Sequence, residues 1–157
     1  MQIRGSSGSI WVDVLERYPG DPAPADEVEL CLDVSSSGFV GRTCPWVKAA
    51  ALQEFLSALE AMQARRTGSA VLPGITADFG LRFAWEERPC GVHLAATGKI
   101  TSYADYTDGG THTNVLQFGM DLPSGSLPDV VTGIRALIQR AEQVAAEFAS
   151  RGPGTNQ

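Results

Sequence analysis

The segments FGLRFAWE over Phe79–Glu86, VHLAATGKI over Val92–Ile100 and LQFGMDL over Leu116–Leu122 alternate apolar and polar residues almost without interruption. Phe79, Leu81, Phe83 and Trp85 share one parity, as do Val92, Leu94, Ala96, Gly98 and Ile100, and then Leu116, Phe118, Met120 and Leu122. A period of two is the mark of a β-strand with one face buried and the other turned outward. Short turn-forming stretches separate the three runs. They therefore predict antiparallel neighbours, because parallel strands need crossovers of a dozen or more residues.

Working outward, the same alternation predicts strands from Ser9 to about Glu16, over Glu27–Val34 and over Phe39–Cys44. Pro19, Pro22 and Pro24 mark an exposed connection between the first two, since proline lacks the N–H that a ladder requires. Residues 47–66 change to helical spacing, with Leu52, Phe55, Leu56, Leu59 and Met62 on one stripe and Thr67-Gly68 as the expected stop. A second stripe runs from Leu127 through Ile134 and Ile138 to Phe148, with Ser126 as the expected N-cap. The predicted fold is α+β and two-layered. An antiparallel meander of about six strands carries two amphipathic helices on one face, in the order β-β-β-α-β-β-β-α. One domain is expected over residues 1–150, with a disordered tail over 151–157.

Composition narrows the function. The chain has 157 residues with 18 acidic and 12 basic side chains, a formal charge of −6. That balance argues against nucleic-acid binding, which uses clustered Lys and Arg, and is compatible with a basic partner. The opening Met1-Gln2-Ile3-Arg4-Gly5 has no charged segment followed by an apolar one, and no apolar run approaches a membrane span. A soluble, cytoplasmic protein is the expectation. Cys31, Cys44 and Cys90 are odd in number and widely spaced, which reads as reduced thiols and not as a disulfide framework.

Few residues suggest catalysis. Cys90 and His93 form a C-x-x-H pair with no second pair to complete a zinc site, so no metal is expected. His112 near Asp105, Asp108 and Ser102 matches no triad signature, and Asp108-Gly109-Gly110 reads as a hairpin loop. Phosphate-binding glycine motifs are missing, so no cofactor is expected. The polar segment 103–113 and the charged turn at Glu86-Glu87-Arg88 read better as partner surfaces. Tyr103, Asp105, Tyr106, Asp108, Glu86 and Glu87 are the candidate contacts, aromatic residues being favoured at interfaces. A small-molecule module is the alternative, with a pocket lined by Phe79, Phe83, Trp85 and Phe118.

Several stretches together resemble a known family. They are Ile3-Arg4-Gly5-Ser6-Ser7-Gly8-Ser9-Ile10-Trp11-Val12, the strand Val28–Val34, Gly38-Phe39-Val40-Gly41, and the helix with Phe55-Leu56-Ser57-Ala58-Leu59-Glu60-Ala61-Met62. With the three closing strands and the helix Leu127–Phe148, the chain resembles WapI-type immunity proteins of polymorphic-toxin systems and related uncharacterised actinobacterial domains. The resemblance covers about residues 2–148. It implies a non-catalytic cytoplasmic protein that binds and blocks a cognate toxin domain. It carries over no catalytic residues.

Overall fold

The computed structural model describes residues 1–16, 24–105 and 111–151, and leaves out the side chains of 102–105, 111, 112 and 151. Among the described residues the strands are β1 (Gln2–Gly5), β2 (Gly8–Val14), β3 (Glu27–Ser36), β4 (Phe39–Thr43), β5 (Trp46–Lys48), β6 (Ser69–Pro73), β7 (Phe79–Arg88), β8 (Gly91–Asp105) and β9 (Thr111–Leu122). The helices are α1 (Ala49–Arg65), between β5 and β6, and α2 (Leu127–Arg151), after β9. The α+β class, antiparallel pairing and helix positions agree with the sequence reading. The strand layout does not: nine strands form two sheets, not about six in one. The first sheet has the order β1-β2-β3-β4, with β5 also on β3, and the second is β6-β7-β8-β9. The strands missed by the sequence reading, β1, β5 and β6, have three to five residues each. That is too short for a two-residue period to stand out from a turn.

The inner faces of the two sheets meet at one side. Gly41 of β4 lies so close to β8 and β9 that a Cβ there would sit 2.7 Å from Ile100 Cδ1 and 3.0 Å from Leu116 Cδ2. At Gly5, the end of β1, a Cβ would be 2.9 Å from the Asp121 carbonyl oxygen, and the Ser6 N–H donates to that oxygen at 2.8 Å. Elsewhere the helices occupy the space between the sheets. α1 packs on β5 of one sheet and on β6 and β7 of the other, while α2 packs on α1 and β2. One continuous core results, joining Ile10, Leu32 and Val34 to Phe55, Leu59, Phe83, Leu94 and Ile134. The rings of Phe55 and Phe83 meet at 6.0 Å, tilted by 50°. A pair of this kind adds about 0.5–1.5 kcal/mol beyond the area it buries.

Local chemistry at the helix ends differs from expectation. Lys48 at the N-cap of α1 makes no side-chain cap; the Ala49 N–H donates instead to the Asp26 carbonyl at 2.8 Å. The left-handed C-cap is Arg66 (φ 54°), not Gly68, and its N–H donates to the Met62 carbonyl. Trp85 secures this end. Its indole N–H donates to the same Met62 carbonyl at 3.2 Å, and the Arg66 guanidinium lies 5.5 Å from its ring centroid. Ser126 precedes α2 as expected: its carbonyl accepts from the Val130 N–H at 3.0 Å, and its hydroxyl donates to the Pro123 carbonyl at 2.7 Å.

The parity read from sequence holds for most of the second sheet, but Ala84 and Ala95, a facing pair on the outward parity, are buried in its middle, and the parity also fails at its ends. Val92 is exposed because the β7–β8 hairpin runs past the core, and Thr101, on the outward parity, is buried. Gly98 and Gly119 test which face is packed. A Cβ at Gly98 would meet the Phe118 ring at 2.4 Å and the Gly80 carbonyl at 2.7 Å, whereas at Gly119 the nearest neighbour is Thr97 Cγ2 at 3.6 Å. Gly98→Ala should destabilise the protein by about 1–3 kcal/mol, as overpacking does. Gly119→Ala should stay within about 0.5 kcal/mol of the parent in the same urea titration.

Candidate protein-binding surface

The β3–β4 hairpin turns through Ser37 and Gly38, both left-handed at φ 50° and 86°. Two successive positive φ angles make a tight type I′ connection, whose twist matches that of the flanking strands. The turn delivers Phe39 and Val40 to the start of β4, where they are 67% and 78% exposed. Val115 of β9, 51% exposed, lies across a shallow depression of about 400 Å³. Gly41, Arg42, Ile100, Asn114 and Leu116 complete its lining. Isolated exposed apolar residues are ordinary, but a contiguous group marks an interaction surface. Both strands are also sheet edges, where backbone groups are open to a partner.

The register shows where the sequence-predicted contacts lie. Tyr103 and Asp105 face Thr113 and Thr111 in the last pairs of β8 and β9, two and four pairs beyond Thr101–Val115. Their backbone positions therefore lie at the same end of the sheet as the apolar depression. Tyr106 and Asp108 fall outside the described residues. Glu86 and Glu87 do not join this group. They face His93 and Val92 at the other end of β8, and Val92 is eleven residues from Tyr103. At about 3.3 Å per residue that separation is roughly 35 Å along the strand. Glu86 is engaged by Arg88 at 3.1 Å and by Arg82 at 3.7 Å, and Arg88 also binds Asp121 at 2.8 Å. Of the six candidates, Tyr103 and Asp105 thus lie at one end of β8, and Glu86 and Glu87 at the other.

Sequence reasoning missed Phe39, Val40 and Val115. A usable signal was present for the first two, which directly follow a two-residue turn and lie where a short edge strand overhangs the core. Val115 shows only as the apolar residue on the outward parity of β9.

On the outer face of the first sheet, Arg42 donates two hydrogen bonds to Asp33, at 2.6 and 2.7 Å. These bonds hold the Asp33 carboxyl below its ordinary value, more than partial desolvation raises it. At the far end of the second sheet, Cys90 Sγ and His93 Nε2 are 3.0 Å apart. Among the described residues, no three His, Cys, Asp or Glu side chains come together to hold a metal ion. The pocket expected from Phe79, Phe83, Trp85 and Phe118 is not formed by them. The three phenylalanines are buried in the core and Trp85 is bound to the end of α1. An apolar cavity of about 310 Å³ lies elsewhere, where Val14 and Val28 face Leu52, Ile138 and Val144, with Gln53 and Glu142 as polar lining.

Compared with known proteins, the chain matches no family model and no curated sequence. No helix among the described residues is long and apolar enough to cross a membrane.

Because Arg42 holds the ionised form of Asp33, the pair's contribution is complete above the ordinary carboxyl value of 3.8 and is lost as pH falls through the lowered midpoint. In an NMR titration, the Asp33 carboxyl should ionise below 3.8 in the parent and move upward in Arg42→Gln. An unchanged midpoint in the variant would show that the two hydrogen bonds do not persist in solution.

Proposed function

We propose that this chain is a non-catalytic cytoplasmic binding protein of the immunity type, which docks on a cognate bacterial toxin domain and neutralises it. The observation that carries the reading is the exposed apolar group Phe39, Val40 and Val115 on two sheet edges. Leaving such side chains in water forgoes about 25 cal/mol per Å² of apolar surface, which a partner recovers on docking. The formal charge of −6 adds long-range attraction for a basic partner, such as a toxin with a basic substrate groove. The backbone positions of Tyr103 and Asp105 lie at the same end, and Tyr106 and Asp108, outside the described residues, stay contact candidates on sequence grounds alone; Glu86 and Glu87 lie at the other end. The family resemblance supplies the kind of partner.

A second reading rests on one observation, the 310 Å³ cavity against α1 and α2. Its size falls at the lower end of the range for small-ligand sites. A small molecule retained on the purified protein in native mass spectrometry would favour it.

The decisive experiment looks for an adjacent gene that encodes a C-terminal toxin domain and titrates this protein into that domain, with calorimetry and toxin activity as readouts. Saturable binding with loss of toxin activity is expected. Phe39→Ser combined with Val40→Ser should weaken binding at least about tenfold, the loss of roughly 1.4 kcal/mol expected of interface anchors. The same pair should leave the urea midpoint nearly unchanged, because both residues are exposed in the free protein. Asp105→Asn with Asp108→Asn should weaken binding and flatten its salt dependence. A toxin domain that neither binds nor loses activity would end the immunity reading.

A further inference from the structure

β3 keeps one unbroken register with the whole β4–β5 segment. Glu27 faces Lys48, Glu29 faces Trp46, Leu32 faces Thr43 and Ser36 faces Phe39. That register sets Cys31 directly opposite Cys44. The Leu30 N–H donates to the Pro45 carbonyl at 3.0 Å, so Leu30–Pro45 is a hydrogen-bonded position, as is Leu32–Thr43 two residues on. Cys31–Cys44 is the non-hydrogen-bonded position between them. At such positions Cα atoms of antiparallel strands approach to about 4.5 Å and facing side chains are closest. A disulfide spans Cα separations of about 4.4–6.8 Å, so the ladder already has the spacing the bond requires.

The surroundings suit a controlled oxidation. Cys31 is 8% exposed and Cys44 is open to solvent, which gives a co-reactant access to one sulfur only. Burial, and then the neighbouring Cys31, push the Cys44 thiol up to about 11; Glu29 adds to this and Arg42 opposes it. Cys44 therefore rests as the thiol at neutral pH. Pro45, next to Cys44, has no N–H to give back to β3, so the backbone holds this part of the ladder less firmly than its neighbours. Cys90 lies apart from this pair, in the turn between β7 and β8 beside His93.

We propose that Cys31 and Cys44 form an oxidisable cross-strand dithiol, a site at which a low-molecular-weight disulfide is reduced and β3 is covalently closed onto the β4–β5 junction. The Cys44 thiolate attacks one sulfur of the small disulfide, forming a mixed disulfide and releasing one small thiol. The Cys31 sulfur then attacks Cys44 Sγ and releases the second. Two protein thiols are oxidised to one disulfide, and one small disulfide is reduced to two thiols. The bond pins the base of the hairpin that presents Phe39 and Val40.

The test exposes the folded Cys90→Ser protein to excess oxidised glutathione at mildly alkaline pH. The reaction is quenched with acid, remaining thiols are alkylated with N-ethylmaleimide in denaturant, and the peptides are mapped by mass spectrometry. The expected result is a chain lighter by two hydrogens with the Cys31 and Cys44 peptides joined. The urea midpoint of the oxidised form should be at or above that of the reduced form. Three results would overturn the proposal: a persistent glutathione adduct on Cys44 with Cys31 still alkylated, no change at either residue, or an oxidised form with a lower midpoint.

Discussion

The fold depends on a pinch between two sheets. At Gly41 the first sheet lies against Ile100 and Leu116 of the second, and at Gly5 its other edge strand reaches Met120 and the Asp121 carbonyl. Two sheets brought this close along one side cannot fill the remaining space with strand side chains alone. The amphipathic stripes of α1 and α2 supply the missing volume, and α1 touches both sheets. Close packing then couples all the layers, since a void or a clash at one position is felt by the neighbours. The burial of Phe55, Phe83, Leu59 and Leu94 in one cluster is the outcome.

The pinch also shapes the surface. Phe39 and Val40 precede Gly41, so they stand just beyond the point where the sheets meet and find no core to enter. Their exposure follows from backbone geometry and not from residue type. At the far end of the second sheet the β7–β8 hairpin likewise overruns the core, but there the outer face carries the Arg82, Glu86, Arg88 and Asp121 ion pairs. Exposed ion pairs of this kind contribute little to stability or affinity, typically about 0–1 kcal/mol. The two ends of one sheet thus differ in character. The apolar end leaves Phe39, Val40 and Val115 in water, while the charged end is internally ion-paired.

The joined register of β3 with β4 and β5 has a related consequence. Pro45 interrupts hydrogen bonding without shifting the alignment, so the strand continues as β5 and leads directly into α1. The extended Lys48 N-cap, tied through Ala49 to the Asp26 carbonyl, is where strand becomes helix. Lys48 in turn bonds the carboxylates of Asp26 and Glu27, which keeps this junction against β3. The cysteine pair, the helix start and the exposed hairpin are therefore parts of one continuous ladder.

Sequence alone determined the long elements, because period two over Phe79–Glu86 and Leu116–Leu122 and period 3.6 over the two helices are local properties of burial on one face. It also determined the antiparallel pairing, which short turns impose. It did not determine that the strands divide into two sheets, since alternation shows that a face is buried and not what buries it. Nor could it place the site. Tyr103 and Glu86 looked alike as polar residues near turns, and only the register put them at opposite ends of β8. Cys31 and Cys44, thirteen positions apart in the chain, became partners only through the pairing of β3 with β4, and Phe39 and Val40 became a surface only where the sheets stop. These are decisions of tertiary structure, because each depends on which strand lies beside which and on where the shared core ends.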